Sequence, residues 1–322
     1  PGRRHTVIDF DSQFDGILVE KMMYKSIYYR LSKRKPAMVA LARHLTRNFG
    51  KHFSSHASQR SEFLMVSEDE GKRRLIMCDH KTRNALSLDM IQALRAEINR
   101  CHIDTRCIII SAEGPVFSAG HNLKQLSLNH GKKALEQIFR ECSELMLDIK
   151  KVPVPVISEV KGLAAAAGCQ LVAASDIAVA SRSAKFSTPG VNFGLFCSTP
   201  GILLTRAVPL KAASYMLFTG NTISATDALS HGLVSRVVEE SGLEMEVNDI
   251  VNSIVKKSKS VIARGKKFLY QQINHDLEEA LRLGEMEMVN NLCMRDGQEG
   301  IASFAGKRPP LWKHDDSLAE NS

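Results

Sequence analysis

Apolar positions along the chain change period several times, and each change predicts an element. Apolar side chains alternate or cluster over Glu62 to Val66 and Arg74 to Cys78, on either side of Asp69-Glu70-Gly71, which predicts a hairpin. The segment SLDMIQALRAEINRCH, Ser87 to His102, opens on a serine cap and carries Met90, Ile91, Leu94 and Ile98 on one helical stripe. Cys107 to Ser111 (CIIIS) reads as a short buried strand, followed by a helix from about Lys132 to Lys150. Val154 to Ile157 reads as a second buried strand, Ala166 to Ala174 as helix, and Asp176 to Ser181 as strand again. From Gly201 the spacing is helical almost throughout. Helices alternating with short buried strands, then a helical final third, predict an α/β domain with an all-helical appendage.

Composition narrows the class. The chain has 322 residues, 44% hydrophobic and 24% charged, which is ordinary for a globular protein with an ample core. No apolar run approaches the roughly 18 to 20 residues that a spanning helix needs, so no membrane span is expected. Seven cysteines, at 78, 101, 107, 142, 169, 197 and 293, form no CxxC pair and no zinc-spaced cluster with histidine. They predict free thiols in a reducing compartment and no metal site.

Charge is unevenly placed. Between Lys21 and Ser61 stand ten Lys or Arg and no Asp or Glu, whereas residues 62–322 hold 31 of each sign. The net charge of +8 therefore belongs to the N-terminal segment, and a neutral main domain argues against nucleic-acid binding. From Met22 or Met23 the segment MMYKSIYYRLSKRKPAMVALARHLTRNFGKHFSSHASQ is basic, serine-rich and amphipathic in spacing. It predicts a mitochondrial transit peptide, cleaved between about Phe49 and Arg60; a disordered basic tail is the alternative. Residues 1–21, including DFDSQFDG, support no reading. The organisation expected is an extension over 1–60, an α/β core over 61–255 and a C-terminal helical region over 256–322.

Two loops carry candidate chemistry. GPVFSAGHNLK, residues 114–124, follows the strand at 107–111, and Gly120 permits a turn that faces adjacent N–H groups outward. KGLAAAAGCQLVAASDIAVAS, residues 161–181, is small throughout its first half and starts a helix near Ala166 and Ala167, where backbone dipoles favour negative charge. An ordinary connection and a tightly packed core helix are the plain alternatives. Together the loops fit a thioester carbonyl polarised by two N–H groups, each worth roughly 3 to 4 kcal/mol in a preorganised site. The sequence has no GxSxG elbow, no Walker loop and no GxGxxG fingerprint. His121 has no carboxylate near it in sequence and makes a poor general-base candidate; the basic run KKSKSVIARGKK, 256–267, reads as a solvated helix face, with anion contact as the alternative.

FSAGHNLKQL, VPVPVISEVKGLAAAAGCQLVAASDIAVAS, FSTPGVNFGLFCSTPG, LFTGNTISATDALSHGLVSRVV and RDGQEGIASFAGKRPPLW, in that order, resemble the crotonase (enoyl-CoA hydratase/isomerase) superfamily from about Glu62 to Trp312. The resemblance implies a spiral of ββα units with a C-terminal α-helical trimerisation region, assembled as a homotrimer or a dimer of trimers. It implies no permanently bound cofactor, a coenzyme A thioester as ligand, and with the leader a place in the mitochondrial matrix. By position, the oxyanion donors would be the backbone N–H groups of His121 and Ala167. The coenzyme A side would use Lys81, Arg83 and Ala85 from HKTRNAL, and Ser118, Ala119, Gly120, Asn122, Leu123 and Lys124 from the first loop. Ala165, Pro189 and, across a subunit boundary, Lys307 would complete it. The departures matter most: the two hydratase glutamates fall at Gln170 and Gly190, and neither residue can shuttle a proton. Asn192, Cys197 and Ser198 are candidate stand-ins. The expected function is acyl-CoA binding in fatty-acid metabolism with standard hydration impaired; the alternative is a non-catalytic acyl-CoA-binding regulatory or assembly protein.

Overall fold

A computed structural model describes residues 59–319. The predicted extension over 1–60 and its transit-peptide helix therefore lie outside the described residues, apart from Gln59 and Arg60.

The predicted hairpin is present. Strands β1 (Gln59–Arg60), β2 (Leu64–Asp69) and β3 (Lys72–Met77) pair antiparallel in sequence, with Glu70 and Gly71 at φ 45° and 82° forming the tight turn. Helix α1 (Leu88–Asn99) starts where Ser87 accepts a hydrogen bond from the Met90 N–H, and it buries Met90, Ile91, Leu94 and Ile98.

From there the chain repeats one manoeuvre. Strand β4 (Cys107–Ala112) enters a large sheet, β5 (Val116–Ser118) enters a small one, and α2 (Lys132–Lys151) returns. Next come β6 (Val156–Val160), β7 (Leu163–Ala165) and α3 (Ala167–Ala174), then β8 (Ile177–Ser181), β9 (Lys185–Ser187) and α4 (Ser198–Ala207). This is the expected spiral of ββα units. Helix α5 (Leu210–Thr219), the two-residue β10 (Ile223–Ser224), α6 (Ala225–Ser230) and β11 (Arg236–Val238) complete the core. The large sheet runs β1-β2-β3-β4-β6-β8-β11 and is parallel from β3 onward; the small sheet runs β10-β9-β7-β5.

Both faces of the large sheet are covered, which explains why β4 reads as an unbroken apolar run. Ile108 and Ile110 face the main core with residues of α1, α2 and α3. Cys107 and Ile109 alternate to the other face, against Leu243, Val247 and Val251 of α7 (Leu243–Val255). Helices α8 (Lys259–Gln272), α9 (Leu277–Leu292) and α10 (Arg295–Ala305) follow.

Three expectations need correcting. The strand predicted from Val154 starts at Val156, because Pro155 has no N–H to give a ladder. The region after Gly201 is not purely helical, since β11 adds to the large sheet beside β8. The basic run at 256–267 is not a fully solvated face: Lys266 is only 8% exposed and donates to Asp176 at 2.7 Å.

Candidate oxyanion site at three strand ends

Strands β5, β7 and β9 lie side by side and parallel in the small sheet, with Val116 opposite Leu163 and Leu163 opposite Lys185. Their carboxyl ends therefore share one edge, and the three segments singled out from sequence all leave from it: Ala119–His121 after β5, Ala166–Ala167 after β7, Thr188–Gly190 after β9. In open parallel sheets the carboxyl edge is the ordinary place for a ligand. The donor loops follow these short second strands, not the long strands 107–112 and 156–160 directly.

The small residues serve close approach. A Cβ on Gly120 (φ +87°) would stand 2.9 Å from the Ala165 carbonyl oxygen, 2.9 Å from the Ala166 Cβ and 3.2 Å from the Ala167 nitrogen. A Cβ on Gly168 would stand 2.6 Å from the Ser118 carbonyl oxygen. The two loops thus touch backbone to backbone, so the residue after Gly120, His121, and Ala167 belong to one site. Among the described residues, neither of their N–H groups donates to a backbone carbonyl in the surrounding connections. Ala167 is the first residue of α3, where helix N–H groups lack partners within the helix. The residue before it, Ala166, holds φ 48° and ψ −115°, a conformation L-residues rarely adopt, fixed by its N–H donating to the Ser187 carbonyl at 2.9 Å. Strain of about 1 to 3 kcal/mol at such a turn persists only when the surroundings hold it, as at functional sites.

A third segment braces the first loop. Ala119 N–H donates to the Arg83 carbonyl (3.0 Å), Leu86 N–H to the Gly120 carbonyl (2.8 Å), and Ser118 Oγ to the Asn84 carbonyl (2.8 Å). Asn84, buried and at φ 52°, donates its Nδ2 to the Glu113 and Val116 carbonyls at 2.9 and 2.8 Å. Asn84 was visible in HKTRNAL only as an asparagine, a residue tolerant of positive φ; its bracing role depends on segments about thirty positions away.

The predicted site residues divide accordingly. Ala85, Ser118, Ala119, Gly120, His121, Ala165 and Ala167 are brought together by these contacts, with Lys81 and Arg83 exposed on the bracing segment. Asn122 caps the exposed 3₁₀ turn that carries Leu123 and Lys124, accepting from Lys124 N–H at 3.1 Å. Pro189 opens the 3₁₀ turn Pro189–Phe193. Lys307 is exposed just past α10, and no hydrogen bond among the described residues ties it to these loops.

The electrostatics favour neutral groups. Burial pushes the His121 imidazole below its ordinary pKa, opposed by its hydrogen bond with Leu86. Its Nδ1 lies 3.3 Å from the Leu86 carbonyl, the ring meets Phe139 edge-on at 5.1 Å, and Nε2 is buried without a partner among the described residues. The tautomer that satisfies Leu86 makes Nε2 a bare acceptor. Gln170, on α3, is 4% exposed, and its Oε1 has no partner among the described residues; the Thr188 hydroxyl is in the same condition. Buried unpartnered acceptors cost about 1 to 3 kcal/mol each and call for an explanation.

Gly190 is more than a missing side chain. A Cβ there would stand 2.3 Å from the Leu195 carbonyl oxygen and 2.9 Å from Cys197 Sγ, so segment 190–197 fills the space. Of the stand-ins, only Cys197 lies against Gly190, and burial pushes its thiol up. The Asn192 amide packs at the Gly220 position, and exposed Ser198 donates to the Phe196 carbonyl at 3.3 Å.

The mixed α/β spiral of parallel strands and helices matches solved crotonase-fold structures. A model of the Enoyl-CoA hydratase/isomerase family matches residues 74–315, and the chain belongs to that family. It is similar to enoyl-CoA hydratase domain-containing protein 3, mitochondrial, of Xenopus laevis: 53% identical over 263 residues, 81% of this chain and 89% of that protein. The crystal structure of human enoyl Coenzyme A hydratase domain-containing protein 3 is 50% identical, with a TM-score of 0.76 over 77% of this chain and 99% of that one. An enoyl-CoA hydratase structure from Mycobacterium smegmatis is 40% identical, with a TM-score of 0.76 over 78% of this chain and 99% of that one.

Proposed function

We propose that this protein binds acyl-CoA thioesters and polarises their carbonyl with the N–H groups of His121 and Ala167, having lost the acid/base pair of an ordinary hydratase. The observation that carries the reading is the contact of Gly120 with Ala165–Ala167, which makes the two donor loops one site. Two N–H groups aimed at the thioester oxygen stabilise charge that develops there, at roughly 3 to 4 kcal/mol for each donor. The exposed cations Lys81, Arg83 and Lys124 on the flanking segments suit the phosphates of coenzyme A.

Hydration also needs a carboxylate to deprotonate water and return a proton, and losing such a group costs about 10² to 10⁴ in rate. Gln170 holds one of those positions with an amide that orients but does not titrate. The other, Gly190, faces the Leu195 carbonyl. That filled space favours the second reading as well: a binding protein with regulatory or assembly duties in place of turnover. The relatives named mitochondrial, with the basic N-terminal segment, support a mitochondrial location. Broad apolar exposure on the C-terminal helices, including Leu277 at 76% and Phe304 at 88%, supports a homotrimer or a pair of trimers, which light scattering on the eluted protein would size.

Calorimetry with two ligands tests the site. Butyryl-CoA has a carbonyl; the S-butyl-CoA thioether lacks it and is otherwise alike. Two hydrogen bonds at about 1 kcal/mol each predict that the thioether binds roughly 10- to 100-fold more weakly. Equal affinities would refute the donor pair, and no binding of either would refute the ligand class.

A further inference from the structure

A cavity of about 720 Å³ lies between α2 and the pair α8–α9, and none of its lining residues belongs to the donor loops. Apolar side chains, among them Leu147, Phe268 and Met286, form part of its wall, and Lys150 also lines it. Among the described residues, Lys150 pairs with no carboxylate directly. Its Nζ donates to the Tyr270 phenol oxygen at 3.0 Å and stands 4.1 Å over the same ring. The Tyr270 hydroxyl in turn donates to Asp176 Oδ1 at 2.6 Å. Asp176 is already committed: its Oδ2 accepts from Lys266 Nζ at 2.7 Å and from the Val156 N–H at 2.7 Å. Lys266 spends its remaining donors on the Ile149 and Val154 carbonyls, at 2.8 and 2.9 Å. Two lysines thus share one carboxylate, and Lys266 holds it directly.

We propose that Lys150 is an acyl-acceptor site, its amine taking the acyl group of a coenzyme A thioester that reaches this cavity. The Nζ lone pair attacks the thioester carbonyl carbon, a C–N bond forms and the C–S bond breaks. Coenzyme A leaves as the thiolate and takes up the proton that the nitrogen sheds, giving a neutral amide and free thiol. The proposal is independent of the two donor loops, because the thioester is supplied as a reagent and the product is read at one lysine.

Burial and two charged neighbours set the state of this amine. Burial depresses the Lys150 pKa to about 8, with Asp176 opposing and Lys266 reinforcing the shift. Tyr270 stays protonated, since burial and Asp176 both push its pKa up. Of the other charges at the cavity, Arg264 and Glu287 pair bidentately at 2.8 and 3.0 Å, while Lys151, Lys267 and Asp316 lie at the rim. A group with a pKa near 8 is about one quarter free amine at pH 7.5, against about one part in a thousand for an ordinary lysine. A buried lysine of this kind is the usual nucleophilic amine.

The test incubates the full chain with acetyl-CoA at several pH values and reads acetylation at every lysine by mass spectrometry. A parallel series uses the N-hydroxysuccinimide ester of acetic acid. Lys132, whose side chain is 86% exposed, serves as internal reference. Lys150 should react at least tenfold faster than Lys132 with both reagents, with a rate midpoint near pH 8, and Lys150→Arg should abolish that product while other sites persist. Lys150 reacting no faster than Lys132, or titrating near pH 10, overturns the proposal. Reaction with the small ester but not with acetyl-CoA overturns the thioester step.

Discussion

Gly120→Ala isolates the contact on which the donor pair rests. Two costs arise. The backbone at φ +87° carries a penalty of about 1 to 2 kcal/mol for any L-residue. The new methyl would also stand 2.9 Å from the Ala165 oxygen and the Ala166 Cβ, and relieving such overpacking costs about 1 to 3 kcal/mol. Gly194→Ala supplies the control, because Gly194 sits at φ +81° with nothing within 4 Å of the added carbon. Urea unfolding should therefore show Gly120→Ala lower in stability than Gly194→Ala by roughly 1 to 3 kcal/mol. Relief of the clash moves the first loop away from α3, and with it the His121 N–H. Losing one such hydrogen bond predicts about 5- to 10-fold weaker butyryl-CoA binding by calorimetry, with affinity unchanged in Gly194→Ala. Equal unfolding costs for the two variants would refute the steric argument. Full affinity in a destabilised Gly120→Ala would show that this contact does not position the donors.

Further outcomes follow from the same geometry. Gln170→Glu places a carboxyl at a 4%-exposed position. It should raise crotonyl-CoA hydration about 100-fold or more in a spectrophotometric assay, while an unchanged rate would mean that the pocket is not otherwise that of a hydratase. Gly190→Glu should cost stability, about 1 to 3 kcal/mol in urea unfolding, because its Cβ meets the Leu195 carbonyl at 2.3 Å; a neutral substitution would mean that segment 190–197 yields freely. Burial pushes the thiols of Cys107, Cys142 and Cys169 up to about 12 from an ordinary 9.0. Raised folded values make their contribution complete below pH 9 and progressively lost above it, because only the unfolded chain then releases those protons. Lys150, depressed to about 8, and Lys266, also lowered by burial, work in the opposite sense, whereas Tyr270 and Cys197, raised by burial, act with the three thiols. Urea midpoints should fall as pH rises from 9 towards 11, and midpoints that held steady would contradict the buried-thiol account.

The long elements were legible because their patterns are local. The serine cap and stripe of α1, the apolar run of β4 and the turn at Glu70-Gly71 each lie within one short window. The small sheet was not legible: β5, β7 and β9 are three residues each, too short for alternation, and Leu163-Ala164-Ala165 reads as well as helix. That omission hid why loops some 45 residues apart converge, since convergence comes from the β5–β7 pairing. The small-residue run admitted both close packing and ligand approach, and the contacts of Gly120 and Gly168 show the first: the two loops pack closely against each other. Lys266 was misread because its partner Asp176 lies 90 positions away, beyond the reach of any charge pattern within the run. The meaning of Gln170 and Gly190 came only from resemblance, as an amide in a helix and a glycine after a proline announce nothing on their own.

The central claim is that a thioester carbonyl is polarised here by backbone N–H groups of His121 and Ala167. Infrared difference spectroscopy on butyryl-CoA labelled with ¹³C at its carbonyl observes that bond directly. Binding to this protein should move the carbonyl stretch to lower frequency than in free butyryl-CoA, and Gly120→Ala should return it towards the free value. A bound ligand whose carbonyl frequency matches that of the free thioester would contradict the account.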